Sequence, residues 1–191
     1  MENSELESLK AYSKALDNLA CNKSKDTFPN KNHKHASVAL CKILKYSKND
    51  FIIFDDDLKG DIVNHQEVVS FKDSLIEFIS RGGKVKIVIS DKYDDEDDKN
   101  LKDFLKLLIE IFPDNVELKI ASTEFKASMR KIYNEKINFA IGDNNKFRLE
   151  LFGNNSVDNK TRKAVGSFNN EAVTNKLLSV FSSNYSSCLD Y

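Results

Sequence analysis

A short apolar stretch in the C-terminal half carries polar side chains at set intervals. It reads Lys136-Ile-Asn138-Phe-Ala-Ile-Gly-Asp143, and Gly166-Ser167-Phe168-Asn169 adds a hydroxyl and an amide farther along. A lysine ammonium binds phosphate oxygens but is a poor nucleophile while protonated, and an asparagine donates hydrogen bonds without neutralising charge. Lys136, Asn138 and Asp143 therefore predict anion binding rather than hydrolysis.

In spacing and surroundings, the two segments resemble the H-x-K-x4-D and G-S-x-N signature of the phospholipase D-like phosphodiesterases. Enzymes of that family use one histidine as the nucleophile on phosphorus and a second, from another motif copy, as the acid, because imidazole titrates near neutral pH. Lys136 stands here at the histidine position and Asn138 at the lysine position, while Asp143 and the Gly-Ser-x-Asn segment match. The resemblance implies a single degenerate copy of the motif.

By this resemblance, five residues form one candidate anion-binding site: Lys136, Asn138, Asp143, Ser167 and Asn169. The family's lysines and G-S-x-N polar groups hold phosphate oxygens, so the site implies no metal and no cofactor. One departure is the spacing, since Gly166 follows Asp143 by 23 positions (166 − 143), a longer gap than is usual in the family. Residues 146–165 are then expected to form an inserted hairpin or loop.

A simpler interpretation of these segments does not invoke a protein family. Alternating polar and apolar residues over 136–143 are typical of any half-buried strand. Gly166-Ser167 is then a turn, and Asn169-Asn170-Glu171 caps the last helix.

Apolar periodicity predicts the elements that position these side chains. Helices are expected over residues 5–20, 35–47, 68–79, 101–112 and 172–185. Strands are expected over residues 51–54, 84–90, 116–120, 137–141 and 147–152. The early alternation of helix and strand predicts parallel pairing, and the last two strands form a hairpin around Asp143-Asn-Asn-Lys146.

The predicted fold class is α/β: a mixed, mostly parallel sheet flanked by helices, phospholipase D-like, with an N-terminal amphipathic helix. Within it, Arg81–Ser90 and Asn115–Ile120 resemble a helix–turn–strand segment and the following strand of that family, and the likeness extends roughly over residues 35–188. We predict an N-terminal helix at 1–22, a linker at 23–34 and a degenerate phospholipase D-like domain at 35–191.

Composition limits the class of protein. The chain has 191 residues, 31% of them charged, with a net charge of −1, so nucleic-acid binding is not demanded by overall charge. Its acidic N-terminus is unlike a secretory signal, and no apolar run approaches the ~20 residues that a membrane span needs. The cysteines Cys21, Cys41 and Cys188 lack metal-site spacing. We expect a cytoplasmic protein that does not contact a membrane.

The C-terminal half is nevertheless locally basic. Six residues are candidate nucleic-acid contacts: Lys126, Arg130, Lys131, Arg148, Arg162 and Lys163. Such a patch neutralises phosphates and gives salt-dependent binding. The alternative is ordinary surface charge on a lysine-rich protein.

Three further polar groups have weaker interpretations. Asp55-Asp56-Asp57 follows a predicted strand, where carboxylates hold Mg²⁺ in some proteins but more often form a solvated exit from the strand. The acidic segment 91–98 is either a solvated loop or a docking surface for a basic partner. His33 and His35 precede a helix, without the further ligands that a metal site needs.

We therefore expect a non-catalytic binding or regulatory subunit that contacts a protein partner, with nucleic acid as a second kind of partner. The N-terminal helix and the acidic loop are the expected docking elements, and a bacterial defence or toxin-type system is a suitable context. The alternative is an atypical phosphodiesterase or nuclease, which would have to be a homodimer because the chain carries one motif copy.

Overall fold

The computed structural model describes residues 2–55, 68, 70–89, 99–152 and 163–191. The helices in this part of the chain are α1 (Glu2–Cys21), α2 (His33–Tyr46), α3 (Phe71–Ser80), α4 (Lys99–Ile111), α5 (Thr123–Lys131) and α6 (Glu171–Asn184). The strands are β1 (Thr27–Asn30), β2 (Asp50–Asp55), β3 (Lys84–Ile89), β4 (Val116–Ile120), β5 (Lys136–Gly142), β6 (Lys146–Phe152), β7 (Lys163–Ser167) and β8 (Leu189–Asp190). Every helix and strand predicted from periodicity has a counterpart; α5, β1, β7 and β8 were not predicted.

All of these strands belong to one sheet with the order β1-β7-β6-β5-β2-β3-β4-β8. The predicted mixed α/β sheet with flanking helices is confirmed. Parallel pairing is limited to β2 with β3 and β3 with β4. The other five neighbouring pairs are antiparallel, so parallel pairing does not predominate as expected. Helical crossovers join β2 to β3 and β3 to β4 as parallel neighbours, whereas β5, β6 and β7 follow one another antiparallel, with a tight turn between β5 and β6.

Helices cover both faces of the sheet. The first face packs against α1, α2, α3 and α4 through one apolar cluster. The second face packs against α5 and α6 through another, which includes Phe125 and Phe181. Along β5, Ile137, Phe139 and Ile141 belong to the second cluster and Ala140 to the first, as the two-residue repeat of a strand requires. Both sides of β5 are therefore buried.

The N-terminal helix is part of the core. Leu9 and Leu16 are only 2% and 1% exposed, and α1 packs along α2. Asp17 of α1 accepts hydrogen bonds from Lys42 Nζ at 2.6 Å and from the Tyr46 hydroxyl at 2.8 Å. The helix thus covers the first face rather than standing apart as a docking element.

The segment predicted to be a linker contains an edge strand. β1 pairs antiparallel with β7, and Phe28 is buried against this part of the sheet. A Cβ at Gly166 would lie 2.3 Å from the Phe28 ring, so glycine permits the close approach of the two strands. Pro29 lacks an N–H, which suits a strand that stands at the edge of the sheet among the described strands. The prediction of a linker over 23–34 therefore fails at residues 27–30.

None of the helices in the described ranges combines the length and the apolar character that crossing a bilayer would require.

If α1 belongs to the core, shortening Leu16 must destabilise the whole fold. We expect Leu16→Ala to lower the free energy of unfolding by about 2–5 kcal/mol, the usual cost of a buried leucine. The matched control is Leu189→Ala, since Leu189 is 62% exposed and should cost little. Chemical denaturation followed by circular dichroism measures both. If Leu16→Ala and Leu189→Ala lowered the free energy of unfolding by the same small amount, α1 would be only an appendage.

Candidate functional site at the start of β5

The β5–β6 hairpin sets where the motif residues lie. Lys136 is opposite Phe152 at the open end of the hairpin, and Gly142 is opposite Lys146 at the turn. Ser167 of β7 is opposite Phe147, near the turn. Lys136 and Ser167 therefore lie toward opposite ends of the hairpin.

Asn138 is committed to a buried hydrogen bond. Its Nδ2 atom donates to Asp55 Oδ1 at 2.9 Å, and the two residues are 3% and 4% exposed. Asp55 closes β2, the antiparallel neighbour of β5. Because a carboxylate already accepts from this amide, the polar pair favours a cation or a neutral donor over a phosphate. Lys136, at the edge, places its Nζ atom 5.0 Å from the centre of the Phe152 ring.

Asp143 holds the turn end of β5 against the start of β2. Its backbone is left-handed, with φ of 46°. Its carboxylate accepts from the backbone N–H groups of Asn49 at 2.9 Å and Lys48 at 3.1 Å, and from Lys146 Nζ at 2.9 Å. Burial alone would raise the pKa of this carboxyl, but these donors outweigh it and hold the pKa below its ordinary value. Asp143 thus acts as a structural acceptor.

Ser167 and Asn169 fasten the connection between α1 and β1. Ser167 is fully buried, and its hydroxyl donates to the Lys25 carbonyl at 3.4 Å. Asn169 Nδ2 donates to the Lys23 carbonyl at 2.8 Å. Asn170, next in the chain, caps α6 by accepting from Val173 N at 3.1 Å, as the simpler interpretation of this segment predicted.

The five residues of the predicted anion-binding site therefore do not form one pocket. Asn138 bonds to a carboxylate, Asp143 holds a loop, and Ser167 and Asn169 hold the N-terminal segment. The expected insertion after Asp143 contains β6 and the beginning of β7, while residues 153–162 lie outside the described residues.

The predicted nucleic-acid contacts divide into two groups. Arg148 is only 4% exposed, because the alternation of β6 turns it inward. Its Nε atom donates to Asn30 Oδ1 at 2.5 Å, and its Nη2 atom lies 3.3 Å from Glu150 Oε2. The expectation that Arg148 contacts a nucleic acid at the surface is therefore wrong. Arg162 lies outside the described residues.

The remaining basic residues lie near Lys136. Lys126, Arg130 and Lys136 line a shallow depression whose apolar wall is formed by Phe54, Met129 and Ile137. Lys163 is exposed opposite Leu151, which is opposite Ile137 in turn, so it lies two strands from the depression, roughly 10 Å away. Lys131 is exposed at the end of α5. We call Lys126, Arg130, Lys136 and Lys163 the basic cluster.

The other polar groups have local roles where they are described. Asn32 caps α2 by accepting from His35 N at 2.9 Å, and the His35 ring lies against Tyr12 with centroids 4.3 Å apart. Burial and the nearby Lys31 lower the pKa of His35. Asp56, Asp57 and the acidic segment 91–98 lie outside the described residues. Within the described ranges, no three histidine, cysteine or acidic side chains come together as a metal site requires.

Comparison with known proteins identifies the architecture. The sequence matches no protein-family model and no curated protein sequence. Solved structures are similar to this chain, and three of them align over 87–99% of it. TrmBL2, an archaeal chromatin protein described with a novel mode of DNA binding, has 18% identity and a TM-score of 0.57 over 99% of this chain. The chain spans 65% of the length of TrmBL2.

The other two structures are a phospholipase D family member, Nuc from Salmonella typhimurium, and NucT from Helicobacter pylori. Nuc has 16% identity and a TM-score of 0.53, covering 87% of this chain and 96% of its own. NucT has 16% identity and a TM-score of 0.54, covering 87% and 98%. The chain has a phospholipase D-like fold. This confirms the fold that the resemblance implied.

The structural role of Asp143 makes a pH-dependent prediction. An unfolded aspartate titrates near pH ~3.9, and the pKa of Asp143 is lower in the folded chain, so its contribution is present above that pH and is lost as the pH falls through the folded value. We expect Asp143→Asn to lower the free energy of unfolding near neutral pH by about 1–3 kcal/mol, with the difference shrinking below pH ~4.

Asparagine is the informative replacement, since it tolerates the left-handed backbone and keeps the shape of the side chain while removing its charge and one acceptor oxygen. Urea unfolding across pH measures the difference, with the exposed Asp114→Asn as control. A difference that stayed constant down to strongly acidic pH would contradict the role given to the carboxylate.

Proposed function

We propose that the chain is a non-catalytic, nucleic-acid-binding subunit built on the phospholipase D-like fold, with the basic cluster as its phosphate-contacting surface. The observation that carries this proposal is the identity and bonding of two β5 residues, Lys136 and Asn138. Lys136 replaces the nucleophile of the family motif, and Asn138 replaces its lysine and bonds to the buried Asp55 carboxylate.

The chemistry of these replacements argues against ester hydrolysis. A protonated ammonium neither attacks phosphorus nor shuttles protons at neutral pH as imidazole does. β5 contains no histidine, and the described histidines, His33 and His35, lie at the start of α2. The Asp55 carboxylate, which is hydrogen bonded to Asn138 at the second motif position, also repels the phosphate that the family lysine would attract.

The basic cluster supplies what binding requires instead. Lys126 and Arg130 are one helical turn apart on α5, Lys136 lines the same depression, and Lys163 is exposed on β7. Such a surface contacts phosphates without reading sequence, and its affinity falls steeply with salt. The likeness to TrmBL2, whose description concerns DNA binding, and to Nuc supports nucleic acid as the ligand class.

The test is fluorescence anisotropy of labelled DNA over a series of salt concentrations. We expect Lys126→Ala/Arg130→Ala to weaken binding and to reduce the slope of log K against log salt by about 1.8, because each phosphate contact contributes about 0.9. The matched control is Lys10→Ala/Lys14→Ala, which removes the same charge from exposed positions on α1. Equal losses in the two double variants, or binding that ignores salt, would contradict the assignment of this surface.

A further inference from the structure

The groove between α3 and α4 is lined by apolar side chains that the core does not bury. Ile76 of α3 is 40% exposed, and Leu107 and Ile111 of α4 are 50% and 56% exposed. The two helices are neighbours, since Lys72 of α3 places its Nζ atom 5.3 Å from the ring centre of Phe104 on α4. The groove lies on the first face of the sheet, whereas Lys126 and Arg130 of the basic cluster are on α5, which covers the second face.

Helical spacing shows that this surface is continuous. Phe104, Leu107 and Ile111 are three and four residues apart, so they form one stripe along α4. The core takes up a different set of side chains on the same helix, namely Leu101, Leu105 and Leu108. Phe104 is half-buried and also packs against the core, whereas Leu107 and Ile111 are exposed. Contiguous exposed apolar surface of this kind marks an interaction site.

The rim of the groove is acidic. Asp73 precedes Ile76 by three residues, Asp103 precedes Leu107 by four, and Glu110 follows Leu107 by three. Residues three or four apart are neighbours on a helix, and all three carboxylates are exposed. Lys72, the cation next to Ile76 by the same spacing, is turned onto the Phe104 ring. An occupant of the groove therefore meets apolar side chains flanked by negative charge.

We propose that the α3–α4 groove docks an amphipathic helix of a partner protein, one whose apolar stripe is flanked by lysine or arginine. Such a helix lays its apolar residues between α3 and α4 and places its cations against Asp73, Asp103 and Glu110. A second copy of this chain fits less well, because it would bring one acidic rim against another, and like charges across an interface are costly.

The test uses two designed helical peptides with the same leucine stripe, flanked by lysine in one and by glutamate in the other. By fluorescence anisotropy at physiological salt, we expect the leucine–lysine peptide to bind at least about tenfold more tightly than the leucine–glutamate peptide. Leu107→Ser/Ile111→Ser should weaken binding of the leucine–lysine peptide about tenfold or more, as the loss of central apolar contacts does in other interfaces. Both side chains are exposed, so the fold should survive, and thermal melts check this.

Two controls separate this groove from general attraction to the protein. Leu189→Ser removes an equally exposed apolar side chain elsewhere and should leave binding unchanged. Asp103→Lys/Glu110→Lys should reverse the preference between the peptides, whereas Glu124→Lys/Glu171→Lys, at exposed positions on α5 and α6, should not. The proposal is overturned if Leu107→Ser/Ile111→Ser binds like wild type, if both charge reversals act alike, or if light scattering shows a dimer that this serine variant dissolves.

Discussion

The structure depends on how the loop between α2 and β2 is held. On one side, the Asp143 carboxylate accepts the backbone N–H groups of Lys48 and Asn49. On the other, the Arg81 guanidinium donates to the carbonyls of Leu44 at 2.6 Å and Ser47 at 3.1 Å. The Arg81 cation thus satisfies carbonyl groups that the C-terminal end of α2 leaves open, and the Asp143 carboxylate satisfies N–H groups of the loop that follows. This loop joins the parallel strands β2, β3 and β4 to the antiparallel hairpin of β5 and β6.

Other residues of the predicted motif have structural roles as well. Asp143 holds the loop before β2, whose strand also pairs directly with β5. Gly166 is needed because Phe28 passes over it, and Ser167 and Asn169 hold the segment between α1 and β1. Lys136 and Asn138 are the two positions that differ from the histidine and lysine of the predicted motif. The structure does not require histidine or lysine at either position. Asn138 has instead become the partner of the buried Asp55.

Most of the architecture follows from apolar periodicity, because the core is built from helices and strands whose buried positions repeat regularly. The missed elements had weak signals. β1 is four residues long and contains a proline, and α5 is short and polar, although Ser122 is a recognisable N-cap. The predominance of parallel strands was overestimated because the pairing of β1 and β7 joins segments far apart in the chain.

The site was harder to predict because the type of a residue does not show which way its side chain points. Arg148 lies in a basic segment, yet Phe147-Arg148-Leu149-Glu150 alternates, which places Arg148 and Glu150 on one face of a strand that is covered on both sides. The hydrogen bond between Asn138 and Asp55 joins positions that are 83 residues apart, so no local sequence pattern indicates it. The basic cluster was predicted in part, through Lys126, Arg130 and Lys163, and folding added Lys136 to it.

We propose that the chain binds nucleic acid without cleaving it. Measuring binding and turnover in one sample tests both parts of this proposal. The purified protein is incubated with end-labelled DNA and RNA and with a chromogenic phosphodiester, with and without Mg²⁺. The expected result is labelled nucleic acid that is bound and remains full length, with no release of the chromophore. Turnover that wild type shows and Lys136→Ala lacks would contradict the claim, since it would assign catalysis to the chain itself and not to a contaminant.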